Sequence, residues 1–480
     1  MTKDRESSRH ALLALEDWWA VWLGSLLLLG VASQLVTEVP GVARWSQSPF
    51  EAFTDGRGVG VLALGLSLAV LTMAAVKVMG GIALNHVAGF FGLFALAVAA
   101  YTFAQQVGIR AAGLGYAFWA LVIGLIIANT MGTPRWIKPA LRTELYIKTG
   151  LVLLGAEILF GNILTLGLPG LFVAWVVTPT VIIFMYQFGT RLLRIQSRSL
   201  VMVIAAATSV CGVSAAIAAA AAARAKKEEL TLAVGMSLIF TVVMMIVMPL
   251  GIRAVGMDPI VGAAWIGGTV DATGAVVAAG TVLGDQAEQI AAVVKMIQNT
   301  LIGVVAFLIA VFWVTRVETN ERATRPNVME IWHRFPKFIL GFVLASLVFS
   351  FVLIPTLGNT QVEEILGLTS DLRGWLFCLA FVSIGLESRF RELTQQSAGG
   401  RPIQLYLVGQ TFNVILTLLA AYLAFGGILF DRIPLQVDHA KARNVIANNV
   451  AEDVEATALF YTEVPDWGNR IWQDLQTNTR

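Results

Sequence analysis

At 480 residues, with 57% hydrophobic and 13% charged side chains, the chain carries too little charge for a soluble protein of its size and suits a polytopic membrane protein. A formal net charge of +2 with no basic stripe argues against nucleic-acid binding. The two cysteines, Cys211 and Cys378, lie in apolar stretches, which excludes a disulfide framework and leaves too few ligands for a metal site.

Residues 1–17 are charged, with Lys3, Arg5 and Arg9, and lead into Trp18, Trp19 and Trp22. That order reads as a cytoplasmic N-terminus followed by an interfacial aromatic belt, and the acidic flank at Glu16 and Asp17 argues against a cleaved signal peptide. Thirteen apolar segments follow, at 18–37, 59–76, 87–109, 111–131, 149–168, 169–190, 200–223, 230–252, 260–284, 290–315, 338–360, 374–387 and 402–430. Most reach the roughly 20 residues that span a bilayer, so the expectation is a multi-pass protein of a bacterial plasma (inner) membrane.

Two segments are interrupted by small polar residues. Residues 205–223 read AAATSVCGVSAAIAAAAAA, and residues 267–280 read GGTVDATGAVVAAG. In hydrocarbon every backbone N–H and C=O needs a partner, so a broken helix persists only where it is buried in protein or lines a polar cavity. A break also turns half-helix N-termini inward, where their free N–H groups attract anions.

Loop charge gives direction, because Lys and Arg in short loops mark the cytoplasm. The clusters Arg135 to Lys148, Arg191 to Arg198, Arg316 to Lys337 and Arg389 to Arg401 fall inside by simple alternation, but Arg224, Lys226 and Lys227 do not. Re-entrant hairpins at the two broken segments, entering from opposite faces, bring that cluster inside and leave every later loop in place. The expected fold is therefore all-α, with 11 transmembrane helices plus two re-entrant hairpins, or 13 transmembrane segments. Ser209–Met236 also overlays Thr269–Met296 without a gap, with seven identities in twenty-eight positions. Opposed hairpins make these two units inverted repeats, an architecture common in secondary transporters. A further echo pairs Leu154, Gly155, Ala156 and Glu157 with Ile384, Gly385, Leu386 and Glu387.

The expected organisation is a cytoplasmic N-terminus at 1–17, two additional transmembrane helices within 18–86, a transporter core at 87–430 and an extramembrane extension at 431–480. Within the extension, 445–460 has the pattern of one amphipathic helix.

On several stretches in order, the chain resembles the YeiH-type family of membrane proteins, whose family-level assignment is sulfate export. These are the Gly-containing fifth segment, Ser209 to Gly212 with the Ala run, Gly267 to Gly280, and Val294, Lys295 and Met296. The resemblance covers roughly 87–430 and implies transport of a small anion such as sulfate or a sulfonate. The family pattern places His-Glu after the Thr-Val pair and Gln three residues later; this chain has Asp271, Ala272 and Ala275 there. The role of that His and Glu therefore does not carry over.

Each candidate residue has a structural alternative. Asp271 is a carboxylate at bilayer depth, either a helix cap or ion-pair member, or a proton carrier or cation ligand, since it would repel an anion. Lys295 either snorkels or places a cation at the site, beside Gln298 and Asn299. Glu157 sits near the centre of its segment as a second proton-site candidate. Ser209, Cys211, Gly212, Ser214, Thr269, Thr273 and Gly274 individually suit close helix packing; together, at two breaks, they suit a hydroxyl and N–H cradle for an oxyanion.

The reading is a non-enzymatic secondary transporter working by alternating access. Its partners are a small anionic substrate, a coupling cation (proton or sodium) and the lipid bilayer; no cofactor is implied, no Walker A sequence occurs, and a homo-oligomer is left open. One alternative is a sodium- or proton-coupled organic-acid symporter. Another is an intramembrane enzyme with Ser209, Ser214 or Cys211 as nucleophile, against which His10, His86, His333 and His439 all lie outside the centres of the apolar segments.

Overall fold

A computed structural model describes residues 15–111, 115–158, 160–317, 329, 332, 335–389 and 400–433. The extension beyond residue 433, its expected helix at 445–460, and His10, His333 and His439 lie outside the described residues.

Among the described residues the regular structure is helical. The principal helices are α1 (Glu16–Ala32), α2 (Arg57–Val78), α3 (Ala83–Gln105), α4 (Tyr116–Thr130), α5 (Thr143–Glu157), α6 (Phe160–Gln187), α7 (Arg198–Ser209), α8 (Gly212–Ala222), α9 (Lys227–Ala254), α10 (Pro259–Thr269), α11 (Thr273–Leu283), α12 (Asp285–Phe312), α13 (Phe338–Val348), α14 (Asn359–Glu387) and α15 (Arg401–Phe425). Among the described residues, eight helices are long and apolar enough to cross a membrane. Each interrupted segment is indeed two helices, α7 with α8 and α10 with α11.

Two expected boundaries move. The split at 168/169, placed at Pro169, falls instead at Ile158, because α6 runs through both Pro169 and Pro179. Neighbouring serines satisfy the real interruption: Ser346 Oγ donates to the Ile158 carbonyl, and Phe160 N donates to Ser350 Oγ at 2.9 Å. The segment expected at 374–387 starts at Asn359. Glu363, Glu364, Asp371 and Arg373 dilute its hydropathy, yet Arg373 is buried because acidic partners on other helices meet it.

The first broken pair folds back on itself. Glu229, in the first turn of α9, accepts hydrogen bonds from Ser197 Oγ and from Ser199 Oγ (2.7 Å) at the start of α7. The start of α7 and the turn after α8 are thereby at one place. On the second pair, Gly262 near the start of α10 packs against Ile252 near the end of α9. Gly280 near the end of α11 packs on Glu288 in the first turn of α12, whose carboxylate also accepts from Thr281 Oγ1 at 3.2 Å.

The glycines of the echoed stretches serve close helix crossings. A Cβ at Gly155 would stand 2.3 Å from the Phe342 carbonyl oxygen of α13, and one at Gly385 would stand 2.5 Å from the Leu121 carbonyl oxygen of α4.

Candidate functional site

The two breaks face each other in the interior. α7 ends at Ser209 and α10 at Thr269, and the non-helical residues that follow, Val210 and Val270, are equivalent in the sequence overlay. The Gly212 N–H donates across the gap to the Asp271 carbonyl at 3.3 Å. The approach requires glycine, since a Cβ at Gly212 would lie 2.1 Å from Ser237 Oγ of α9.

A helix C-terminus leaves carbonyls without intrahelical partners, and at bilayer depth something in the site must supply them. Side chains do. Asn413 Nδ2 of α15 donates to the carbonyls of Thr208 (3.0 Å) and Thr269 (3.5 Å). Gln298 Nε2 of α12 donates to those of Ser209 (3.0 Å) and Gly268 (3.1 Å). Lys295 Nζ, one turn earlier, donates to the Val210 carbonyl and to Gln298 Oε1 (2.8 Å). Thr178 Oγ1 of α6 adds a bond to the Ser209 carbonyl at 3.1 Å. Each amide thus ties one half-helix end to the other.

Asp271 is buried between α10 and α11, with its Oδ2 accepting from Ser237 Oγ (2.9 Å) and Tyr406 Oη (2.6 Å). Its Oδ1 is buried without a hydrogen-bond partner among the described residues, as are Ser209 Oγ and Thr269 Oγ1. No ion pair joins Asp271 to Lys295 among the described residues; the ammonium lies on the α7 end instead.

The helices that restart at the breaks open on a cavity of about 570 Å³. Val213 and Ser214 of α8 and Ala272, Gly274 and Ala275 at the start of α11 line one part of it. Neither cap residue, Cys211 for α8 or Ala272 for α11, makes a side-chain hydrogen bond to its helix. The half-helices that start at an end of the bundle differ: Ser197 caps α7 through Leu200 N at 3.2 Å, and Asp258 caps α10 through Ile260 N at 2.9 Å. Thr241 Oγ1, on a cavity-lining residue of α9, is likewise buried without a partner. The remaining wall is largely aliphatic, with Ile147, Leu238 and Ile384, and Glu16, Arg142, Glu144, Lys148 and Glu387 are grouped elsewhere on the lining. Lys148 pairs with Asp17 at 2.8 Å and Glu144 at 3.2 Å, so Arg142 is the lining cation not engaged in that pair.

The structure therefore brings together Ser209, Cys211, Gly212, Ser214, Thr269, Asp271, Thr273, Gly274 and Lys295. Thr273 Oγ1 is occupied, accepting from Asn299 Nδ2 at 2.9 Å. Glu157 stands apart from this group. It ends α5 and forms a bidentate pair with Arg373 (Nε to Oε1 2.8 Å, Nη2 to Oε2 3.0 Å), while Arg373 Nη1 pairs with Glu288. His86 falls within α3, buried and held by Thr72 Oγ1 at 3.0 Å and the Pro139 carbonyl at 3.3 Å, away from any nucleophile at the breaks.

Ser237 and Tyr406 are the site residues that sequence reading missed. A lone serine in an apolar helix reads as a packing residue, and a tyrosine one turn into α15 reads as part of an interfacial belt. Arg373 was missed because its segment was begun at 374, well inside the helix that starts at Asn359.

The model of the family described as Conserved hypothetical protein 698 matches residues 88–405. A UPF0324 membrane protein of Rhodopirellula baltica is 53% identical over 84% of this chain and 74% of its own length. One from Nitratidesulfovibrio vulgaris is 53% identical over 78% of this chain and 65% of its own length, and one from Nitrosomonas europaea is 29% identical over 79% and 89%. No solved structure matches the chain.

Proposed function

Since the chain belongs to the Conserved hypothetical protein 698 family of UPF0324 membrane proteins, we propose that it is a secondary transporter of a small anion, with the substrate seated at the N-termini of α8 and α11. One observation carries this reading. Two helix N-termini without side-chain caps open on one cavity, at breaks that the rest of the core holds together. Free N–H groups at the positive ends of two helix dipoles attract an anion without a buried full positive charge. The resemblance to the YeiH-type family supports sulfate or a sulfonate.

Alternating access follows from two hairpins that enter from opposite faces. The Glu229 bonds to Ser197 and Ser199 support a return of α8 to the side where α7 began, which puts Lys226 and Lys227 with Arg198 on the cytoplasmic side. Loop charge and the gapless overlay of Ser209–Met236 on Thr269–Met296 support the opposite face for α10 and α11. The chain then has 11 spans plus two hairpins in inverted repeat, a cytoplasmic N-terminus and a plasma-membrane location. Asp271, buried with one free carboxylate oxygen, is the group through which a cation gradient drives the cycle.

The aliphatic wall of Ile147, Leu238 and Ile384 favours a second reading, an organic acid whose carbon skeleton lies along that wall. Thermal unfolding of the purified protein separates the two. A bound anion raises the apparent Tm, so sulfate, short alkylsulfonates and short carboxylates are compared at one ionic strength. Stabilisation by sulfate alone selects the inorganic anion, and stabilisation that grows with alkyl length selects the organic one. If no anion shifts Tm, the carrier reading fails.

A further inference from the structure

The ends of α7 and α10 concentrate negative charge at one point. Two helix C-termini converge there, each carrying the negative end of its dipole, and the Asp271 carboxylate follows directly on the second. Unwound carbonyls and helix C-terminal ends of this kind are what broken-helix carriers offer to sodium. In this chain the carbonyls are already engaged: Thr208 and Thr269 by Asn413, Ser209 and Gly268 by Gln298, and Val210 by the Lys295 ammonium.

Lys295 is held in place for this. It is buried at 1% exposure, its second bond goes to Gln298 Oε1 at 2.8 Å, and that bond orients the amide whose Nε2 serves the neighbouring carbonyls. It does not snorkel, because Nζ is directed to the interior end of α7. We propose that Lys295 is a tethered cation occupying the place of a coupling sodium ion, so that the crossing takes no sodium. The inference rests on the proposed carrier reading and narrows its coupling ion. A second cation beside a buried ammonium is repelled strongly at low dielectric. Removing the side chain frees the Val210 carbonyl at a crossing where Asp271 Oδ1, Ser209 Oγ and Thr269 Oγ1, oxygens of the kind a hard monovalent ion takes, already lack partners among the described residues.

The test is thermal unfolding of the purified full chain in sodium, potassium or N-methylglucamine gluconate at matched ionic strength, without substrate. Wild type and Lys295→Arg are expected to unfold at the same temperature in all three salts. Lys295→Ala is expected to unfold at a lower temperature in N-methylglucamine and to regain several degrees in sodium, more than in potassium. If Lys295→Ala does not yield folded protein, Lys295→Gln, which keeps a donor for Val210, carries the same comparison. Sodium-specific stabilisation of wild type overturns the proposal, as does a neutral variant that responds to all three salts alike. Loss of the anion response would remove the carrier reading and leave this comparison standing, whereas a sodium response in wild type would remove the tethered cation and leave anion binding standing.

Discussion

Asp271 shows how one residue's surroundings decide its chemistry. One oxygen takes two hydroxyl bonds and the other takes none, which leaves a buried acceptor at the meeting point of four half-helices. Asp271→Asn keeps the shape and an acceptor for Tyr406 while removing the titratable charge. The expected result is anion exchange that continues in proteoliposomes but no longer responds to an imposed cation gradient; gradient-driven uptake at the wild-type rate would refute the coupling role. Tightness at Gly212 is a separate matter of packing. Gly212→Ala meets Ser237 Oγ and is expected to cost about 1–3 kcal/mol, the usual range for overpacking, with part of the loss recovered in Gly212→Ala/Ser237→Ala. Chemical-denaturant unfolding of both variants reads the difference.

At the scale of elements, each break is a joint made by a neighbouring helix. α12 reaches both half-helix ends through Gln298, α15 reaches both through Asn413, and α9 touches Asp271 through Ser237. The triad of Glu157, Arg373 and Glu288 performs a similar service among α5, α14 and α12. Removing a partner from a buried ion cluster leaves uncompensated charge, so Arg373→Ala is expected to lose about 3–5 kcal/mol of stability. Glu157→Gln tests the proton role expected from sequence. If Glu157 only fixes α5 to α14, the variant lowers Tm and leaves gradient coupling unchanged in the proteoliposome assay.

For the whole molecule, the opposed-hairpin topology makes a definite accessibility prediction. With Cys211 and Cys378 replaced, single cysteines at Gln196 and Lys226 are expected to react with an impermeant thiol reagent from the cytoplasmic face, and those at Met257 and Asp285 from the other. Thirteen continuous spans would put positions 196 and 226 on opposite faces. The result therefore decides between the two counts without reference to substrate.

How far the sequence reaches differs from residue to residue. The breaks were legible because small polar residues inside a hydrophobic run conflict with the backbone's need for hydrogen bonds in lipid, a conflict visible in one dimension. The gapless overlay even paired Ser209 with Thr269, the residues at which α7 and α10 end. Loop charge pointed to hairpins for an equally local reason. The partners of Asp271, by contrast, come from residues 34 and 135 positions away, in helices where a serine or a tyrosine has ordinary local explanations. The sequence by itself determined that the chain is a helical membrane protein with two interruptions and a carboxylate in one of them. Only the tertiary structure decided that the interruptions meet, that Lys295 faces a helix end instead of Asp271, and that Glu157 belongs to an arginine triad. Hydropathy and charge act through the solvent each residue meets, whereas pairing depends on which helices stand side by side, and no local property of the chain encodes that.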